Sequence, residues 1–390
     1  MSLNDTPRAE RLQIGFFGLR NAGKSTLCNR ITAQEMSLVS DVKGTTTDPV
    51  RKSMELLPLG PVTIIDTPGF DDTGMLGEQR VRRTREVLRD CDLAVLVTEH
   101  DTFTEEEEEL ERLIKERGIP YLIVQTKEDG MPRQIPGRIA ASGATGEGVE
   151  EVKEQLARLG KGREKTVRFV ADLIQPGDTV VLVIPIDSSA PKGRLILPQQ
   201  QAVRDILDLG AYSVVTGVEG IPEVLQNLKT PPALVVTDSQ VFGKVMKLVP
   251  EEIPLTSFSI LMARYKGFLT QAVHGASALD RLEDHARVLI SEGCTHHRQC
   301  EDIGTVKLPK WIRDYTGKMI DFTFTSGRGY PEALEDYDLI VHCGACMLTD
   351  QEVQNRMQAA EAAGVPFTNY GTLIAKINGI LERSIACVPV

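Results

Sequence analysis

Cys294-Thr295-His296 and, beyond residues 297–341, His342-Cys343-Gly344-Ala345-Cys346 spell C-x-H…H-C-x-x-C. Three thiolates and two imidazoles make a soft-ligand set that can hold zinc or an iron-sulfur cluster. A second constellation stands near the start, where Gly18-Leu19-Arg20-Asn21-Ala22-Gly23-Lys24-Ser25 has the spacing of a phosphate-binding loop. In such a loop Gly18 and Gly23 let backbone N–H groups close around phosphates, and Lys24 reaches the β and γ oxygens. Ser25 offers its hydroxyl to Mg²⁺, and Thr26 is counted with it in the nucleotide site.

The remaining parts of a nucleotide site follow in chain order. Gly44-Thr45-Thr46-Thr47-Asp48 is a polar segment that can act as a switch, with Thr46 the expected Mg²⁺-sensing hydroxyl and Thr45 the second choice. Asp66-Thr67-Pro68-Gly69 ends a strand, so that Asp66 can order a Mg²⁺-bound water while the Gly69 N–H senses the γ-phosphate. Lys24, Thr46, Asp66 and Gly69 are thus the candidate catalytic set. Thr126-Lys127-Glu128-Asp129 resembles the guanine motif N-K-x-D with Thr in the Asn position. The Asp129 carboxylate can accept from the guanine N1–H and exocyclic amine, which selects guanine over adenine. Ser142-Gly143-Ala144-Thr145-Gly146-Glu147-Gly148 resembles S-A-x-x-G-x-G with Gly for Ala, a loop that backs the base through a main-chain N–H. GTP and GDP are the expected nucleotides.

Positioning these residues requires particular elements. Leu12–Gly18 reads as a strand feeding the Gly-rich loop and Ser25–Ile31 as the helix that follows it, with further strands at 62–65, 93–98 and 121–125. The acidic run 104–109 reads as a solvated helix N-terminus favoured by the helix dipole. The middle of the chain alternates strands at 179–186, 212–216, 233–237 and 256–263 with helices at about 198–209, 221–228 and 239–249, which predicts a small parallel α/β sheet. Its free edge suggests a homodimer. Residues 267–290 read as a long helix ending at Gly293, which would place Cys294 and His296 just past a helix C-terminus. A strand at 338–342 would deliver Cys343 and Cys346, with further strands near 321–325 and 365–369. The expected architecture is α/β in three parts: a P-loop GTPase domain at 8–165, a middle dimerisation domain at 170–265 and a metal-cluster domain at 266–390.

Composition narrows the classes. At 390 residues the chain exceeds the size at which one core splits into domains. A net charge of −11 gives no electrostatic footprint for a general nucleic-acid binder. Apolar runs such as 180–186 are strand-length, so no membrane segment is expected. The start of the chain lacks an apolar signal region, and the odd count of seven cysteines suits free thiols or metal ligands, which together predict a cytoplasmic protein. Cys28, Cys91 and Cys387 lie in apolar contexts where a thiol packs as a small hydrophobe, and Cys300 is the rival thiol to Cys294.

The nucleotide motifs resemble those of GTPases that modify tRNA, which carry G-x-x-N-x-G-K-S and G-T-T-x-D. That resemblance implies a K⁺ ion held by Asn21 and the switch loop in place of an arginine finger, with Phe70 where other GTPases put a water-positioning Gln. Taken with the α/β middle segment and C-x-H…H-C-x-x-C, the chain resembles, over essentially its whole length, the HydF family of [FeFe]-hydrogenase maturation GTPases. The resemblance implies a [4Fe-4S] cluster on Cys294, Cys343 and Cys346. His296 and His342 are then a possible fourth ligand or supporting groups. It further implies a scaffold or carrier role for a dinuclear iron precursor bearing CO and cyanide. The implied partners are two radical-SAM maturases and the apo-[FeFe]-hydrogenase, with GTP hydrolysis regulating those contacts. Two other classes stand beside it: a tRNA-modification-type GTPase with a zinc-bearing domain, and a redox-sensing iron-sulfur GTPase.

Overall fold

The computed structural model describes residues 11–32, 49–57, 59–70, 77–126, 135–161, 167–186, 195–293, 303–327, 329–331 and 333–389. The chain falls into two compact units, residues 1–164 and 165–390.

The first unit is built on β1 (Leu12–Phe17), β2 (Val50–Leu56), β3 (Gly60–Asp66), β4 (Leu93–Thr98), β5 (Tyr121–Gln125) and β6 (Ile139–Ala140), in the order β2-β3-β1-β4-β5-β6. Only the β2–β3 pair is antiparallel. Alternation along the central strands fills two cores. Ile14, Phe16 and Val95 pack with Leu27 of helix Lys24–Thr32 on one face, while Phe17 and Leu96 pack with Leu110 of helix Glu105–Glu116 on the other. This is the P-loop GTPase architecture. The acidic run does open a helix: Thr104 Oγ1 accepts from the Glu107 N–H and a Glu107 carboxylate oxygen accepts from the Thr104 N–H, a capping box. The expectation of a solvated helix N-terminus needs one correction, because Glu107 is buried and its carboxylate meets His100 Nδ1 at 3.3 Å.

The second unit holds two four-stranded parallel sheets. The first comprises β7 (Thr179–Val183), β8 (Tyr212–Thr216), β9 (Leu234–Thr237) and β10 (Leu255–Ser257), ordered β10-β9-β7-β8. The second comprises β11 (Ala286–Glu292), β12 (Ile320–Ser326), β13 (Leu339–His342) and β14 (Phe367–Asn369), ordered β12-β11-β13-β14. One continuous core joins them: Val181, Leu182 and Val236 belong to the same buried cluster as Leu289, Ile290 and Val341. At the seam the Phe268 and Phe367 rings meet edge to face, with centroids 6.0 Å apart.

Two elements differ from expectation. The long helix predicted over 267–290 is instead a short helix Leu269–Ala276, a 3₁₀ turn Ser277–Arg281 and then strand β11. His285 adopts φ 64°, which breaks any helical continuation, and its N–H donates to the Met319 carbonyl at 2.6 Å as the chain enters the sheet. The apolar run Val288-Leu289-Ile290 is then buried, as expected of a central parallel strand. Similarly, the strand predicted over 256–263 ends at Ser257, whose hydroxyl accepts from the Ile260 N–H and caps helix Phe258–Tyr265. Among the described residues no helix is long and apolar enough to cross a membrane.

Candidate functional site

The phosphate loop sits between the carboxyl end of β1 and helix Lys24–Thr32. Gly18 is the one residue type that fits its position, since a Cβ there would lie 2.1 Å from the Val97 carbonyl oxygen. Asn21 takes φ 58°, a left-handed conformation that Asn tolerates better than most residues. Lys24 is buried and its ammonium donates to the Leu19 and Gly18 carbonyls at 2.6 and 3.1 Å. Ser25 donates to Asp66 Oδ2 at 2.6 Å, so the two groups assigned to Mg²⁺ stand side by side. Gly69 lies directly against the loop, where a Cβ would be 2.7 Å from Arg20 Cα, and the Phe70 N–H donates to the Gly18 carbonyl at 3.2 Å.

Both departures from the usual guanine motifs have a local physical reason. The Thr126 hydroxyl is buried and lies 2.5 Å from the Ala22 carbonyl and 3.2 Å from that of Thr98, so it ties the phosphate loop to the end of β4. Gly143 packs onto the start of helix Lys24–Thr32: a Cβ would lie 2.8 Å from the Leu27 nitrogen and the Thr26 carbonyl carbon. Alanine would not fit without a shift. Ser142 closes its own turn, its Oγ accepting from the Thr145 N–H at 3.1 Å. Thr46, with its neighbours Gly44, Thr45, Thr47 and Asp48, lies outside the described residues, as do Lys127 and Asp129.

The thiol site lies at the other end of the chain. β11 is hydrogen-bonded to both β12 and β13, and the strand order reverses between β11 and β13, so the crevice at their carboxyl ends is the switch point of this sheet. Ser291 pairs with His342 in register. Cys343 follows directly, and its Sγ lies 3.1 Å from the Gly293 nitrogen and 3.4 Å from the Ala345 nitrogen, both N–H donors. Gly293 immediately precedes Cys294 in the sequence. Cys294, His296 and Cys300 themselves lie outside the described residues, and among the described residues no group of three His, Cys, Asp or Glu side chains is arranged to hold a metal. Cys343 and Cys346 are half-buried thiols. Burial raises the Cys346 thiol above its usual range, and the Lys266 ammonium pulls in the opposite direction.

His342 is fully buried with both ring nitrogens engaged. A guanidinium can only donate, so the 3.1 Å contact from Arg356 Nη1 makes Nε2 the acceptor and puts the ring proton on Nδ1, which donates to the Cys343 carbonyl at 2.9 Å. Burial, reinforced by the Arg356 charge, pushes the His342 pKa down to about 3 and keeps the ring neutral. Arg356 also pairs with Glu352 at 3.0 Å, donates to the Gly327 carbonyl at 2.6 Å and lies 5.0 Å from the Tyr330 ring centroid. Sequence reasoning passed over Arg356 and Lys266, because a lone cation on a helix reads as solvated; only tertiary burial marks them. Cys28 and Cys91 are fully buried and Cys387 is half-buried, each with its thiol raised by burial, which suits packing rather than reactivity.

Comparison with known proteins follows the same division. Residues 13–127 match the family model described as 50S ribosome-binding GTPase. Residues 169–267 match the Hydrogen maturase F dimerization domain, and residues 270–387 match the Hydrogen maturase F tetramerization domain. The tRNA modification GTPase MnmE of Methylorubrum populi is 31% identical over 58% of this chain and 51% of its own length. The MnmE of Myxococcus xanthus is 37% identical over 41% of this chain and 36% of its own. The chain thus spans about half or less of the length of these curated relatives. Among solved structures, an Era variant of Aquifex aeolicus bound to GDP and AlF4⁻ covers 55% of this chain and 97% of its own, at 18% identity and a TM-score of 0.35.

Arg356 satisfies several buried groups at once, so Arg356→Met should leave Glu352, His342 and the Gly327 carbonyl without it and cost about 3 kcal/mol. Urea unfolding monitored over the second unit checks this, and Arg356→Lys should recover only part of the loss.

Proposed function

We propose, since the chain belongs to the hydrogen maturase F family, that it is a GTP-hydrolysing scaffold that holds a [4Fe-4S] cluster and assembles or carries the dinuclear iron precursor of the [FeFe]-hydrogenase active site. The observation that carries the reading is the pairing of β11 with β13, which sets the N–H of Gly293, the residue before Cys294, on the Cys343 sulfur. N–H donors on sulfur suit a thiolate ligand of an iron-sulfur cluster, so the residues present fit the group. Cys294, Cys343 and Cys346 would hold it. The two hydrogen bonds of His342 favour a supporting role for that ring and leave His296, a carboxylate or an external molecule for the fourth iron. Bound there, the cluster supplies one iron open to ligand exchange, and the dinuclear precursor is the cargo. The tRNA-modification reading draws on likeness in the GTPase domain, whereas residues 169–267 and 270–387 match hydrogen maturase F models.

In the first domain GTP and Mg²⁺ would engage Asn21, Gly23, Lys24, Ser25, Thr26, Thr46 and Asp66, with Gly69 sensing the γ-phosphate. Lys127, Asp129, Ser142 and Gly143 would hold the base. Hydrolysis would switch the 44–48 and 66–75 segments and so alter contacts with partners, namely the apo-hydrogenase and the radical-SAM maturases. A homodimer would form through the first sheet of the second unit. β8 is its edge strand, Tyr212 and Val215 are 64% and 50% exposed, and a groove of about 360 Å³ lined by Val214, Thr216, Val224 and Leu228 runs beside it.

Anaerobic metal analysis with EPR should find about four iron atoms per chain and a reducible cluster, lost in Cys343→Ser. Lys24→Ala should abolish GTP hydrolysis with iron content unchanged. Stoichiometric zinc without iron would overturn the reading. Hydrolysis should be slow and faster in K⁺ than in Na⁺ at equal ionic strength; equal rates would remove the K⁺ role given to Asn21. Val215→Lys, a charge on the exposed edge, should shift the protein toward monomer in light scattering at constant iron content.

A further inference from the structure

Lys266 follows helix Phe258–Tyr265, at the point where the chain leaves the first sheet of the second unit for the second. It is 5% exposed, although a lysine at a helix end ordinarily extends to solvent. Its ammonium instead turns inward, donating to the Leu348 carbonyl at 2.6 Å and to Asp350 Oδ1 at 3.2 Å. Both acceptors lie just beyond Cys346 in the chain. The Lys266 carbonyl accepts from Gln354 Nε2 at 2.6 Å, so the residue is fastened at both ends to the segment that follows C-x-x-C. The same helix also lies against the C-x-x-C turn: a Cβ on Gly344 would lie 3.4 Å from Ser259 Oγ.

A buried ammonium is costly unless anions repay it, and Asp350 is a third exposed, so its compensation is partial. Thiolates bound to iron would complete it. We propose that Lys266 is a positioning residue for the metal site: it pins the turn carrying Cys346 to the first sheet of the second unit and supplies positive charge that offsets the ligand thiolates. This rests on the iron-sulfur reading above. The charge and hydrogen bonding around a cluster set its reduction potential, and a cation nearby favours the reduced form.

The test uses the full chain reconstituted anaerobically with iron and sulfide, comparing Lys266→Met, Asp350→Asn and, as a surface control, Lys310→Met, which is exposed on helix Leu308–Thr316. Lys266→Met should give a more negative midpoint potential by EPR-monitored titration and several-fold faster loss of iron to a chelator. Asp350→Asn, which removes the neighbouring negative charge, should shift the potential the opposite way, and Lys310→Met should shift neither quantity. Opposite signs are what an electrostatic role requires and what general loosening of the turn would not give. Shifts of the same sign, or a Lys266→Met potential and iron retention equal to wild type, would overturn the proposal. Should Lys266→Met fail to fold, an unshifted potential in Asp350→Asn overturns it alone. A wild-type protein that takes up no iron would sink the scaffold reading itself, an outcome distinct from a wild-type cluster that is insensitive to Lys266.

Discussion

The second unit depends on the parallel pairing of β11 with β13. Gly293 and Cys343 are fifty positions apart in sequence, yet the Gly293 nitrogen lies 3.1 Å from the Cys343 sulfur. A parallel pair cannot be joined by a tight turn, so the intervening chain must cross over, and here it carries β12 and helix Leu308–Thr316 on the way. Register matters as much as adjacency. Ser291 opposite His342 leaves the imidazole on the face where Arg356 reaches it, and a slip by one residue would turn that ring to the opposite face of the sheet, away from Arg356.

In the first unit the constraint is closeness of main chain to main chain. Gly18 lies against Val97, Gly69 against Arg20, and Gly143 against Thr26 and Leu27. The residues that depart from the common GTPase motifs fit this frame. Thr126 keeps a tie to the phosphate loop through its hydroxyl, and Gly143 admits the helix start that a methyl group would obstruct. At the two positions where the expected guanine motifs differ in side chain, the main chain still packs closely against the phosphate loop and the helix that follows it.

Much of this was legible in the sequence where local rules and tertiary context agree. Strands 93–98 and 121–125 and the phosphate loop were readable because apolar runs and glycines there have one satisfactory use. The stretch ending at Ile290 was misread because a short apolar run suits a buried helix and a buried strand equally, and the decision falls to His285 and the partners on either side. As the end of strand β11, Gly293, the residue before Cys294, stands beside Cys343, which a helix over 267–290 does not require. The cations behind the thiols could not be read at all. Lys266 and Arg356 are unremarkable in composition, and their burial is decided by residues some 80 and 30 positions away, respectively, such as Leu348 and Gly327.

The continuous core beneath β11 and β13 also sets this sheet apart from a fold nucleated by a metal. Val288, Leu289, Ile340 and Val341 are fully buried among aliphatic neighbours, so the framework has its own apolar driving force. Closing the long loop between the two strands is entropically unfavourable and comes late in folding. A small zinc domain folds around its metal and unravels when the metal leaves. Here β11 and β13 carry an aliphatic core of their own, so the sheet has a driving force besides any bound metal.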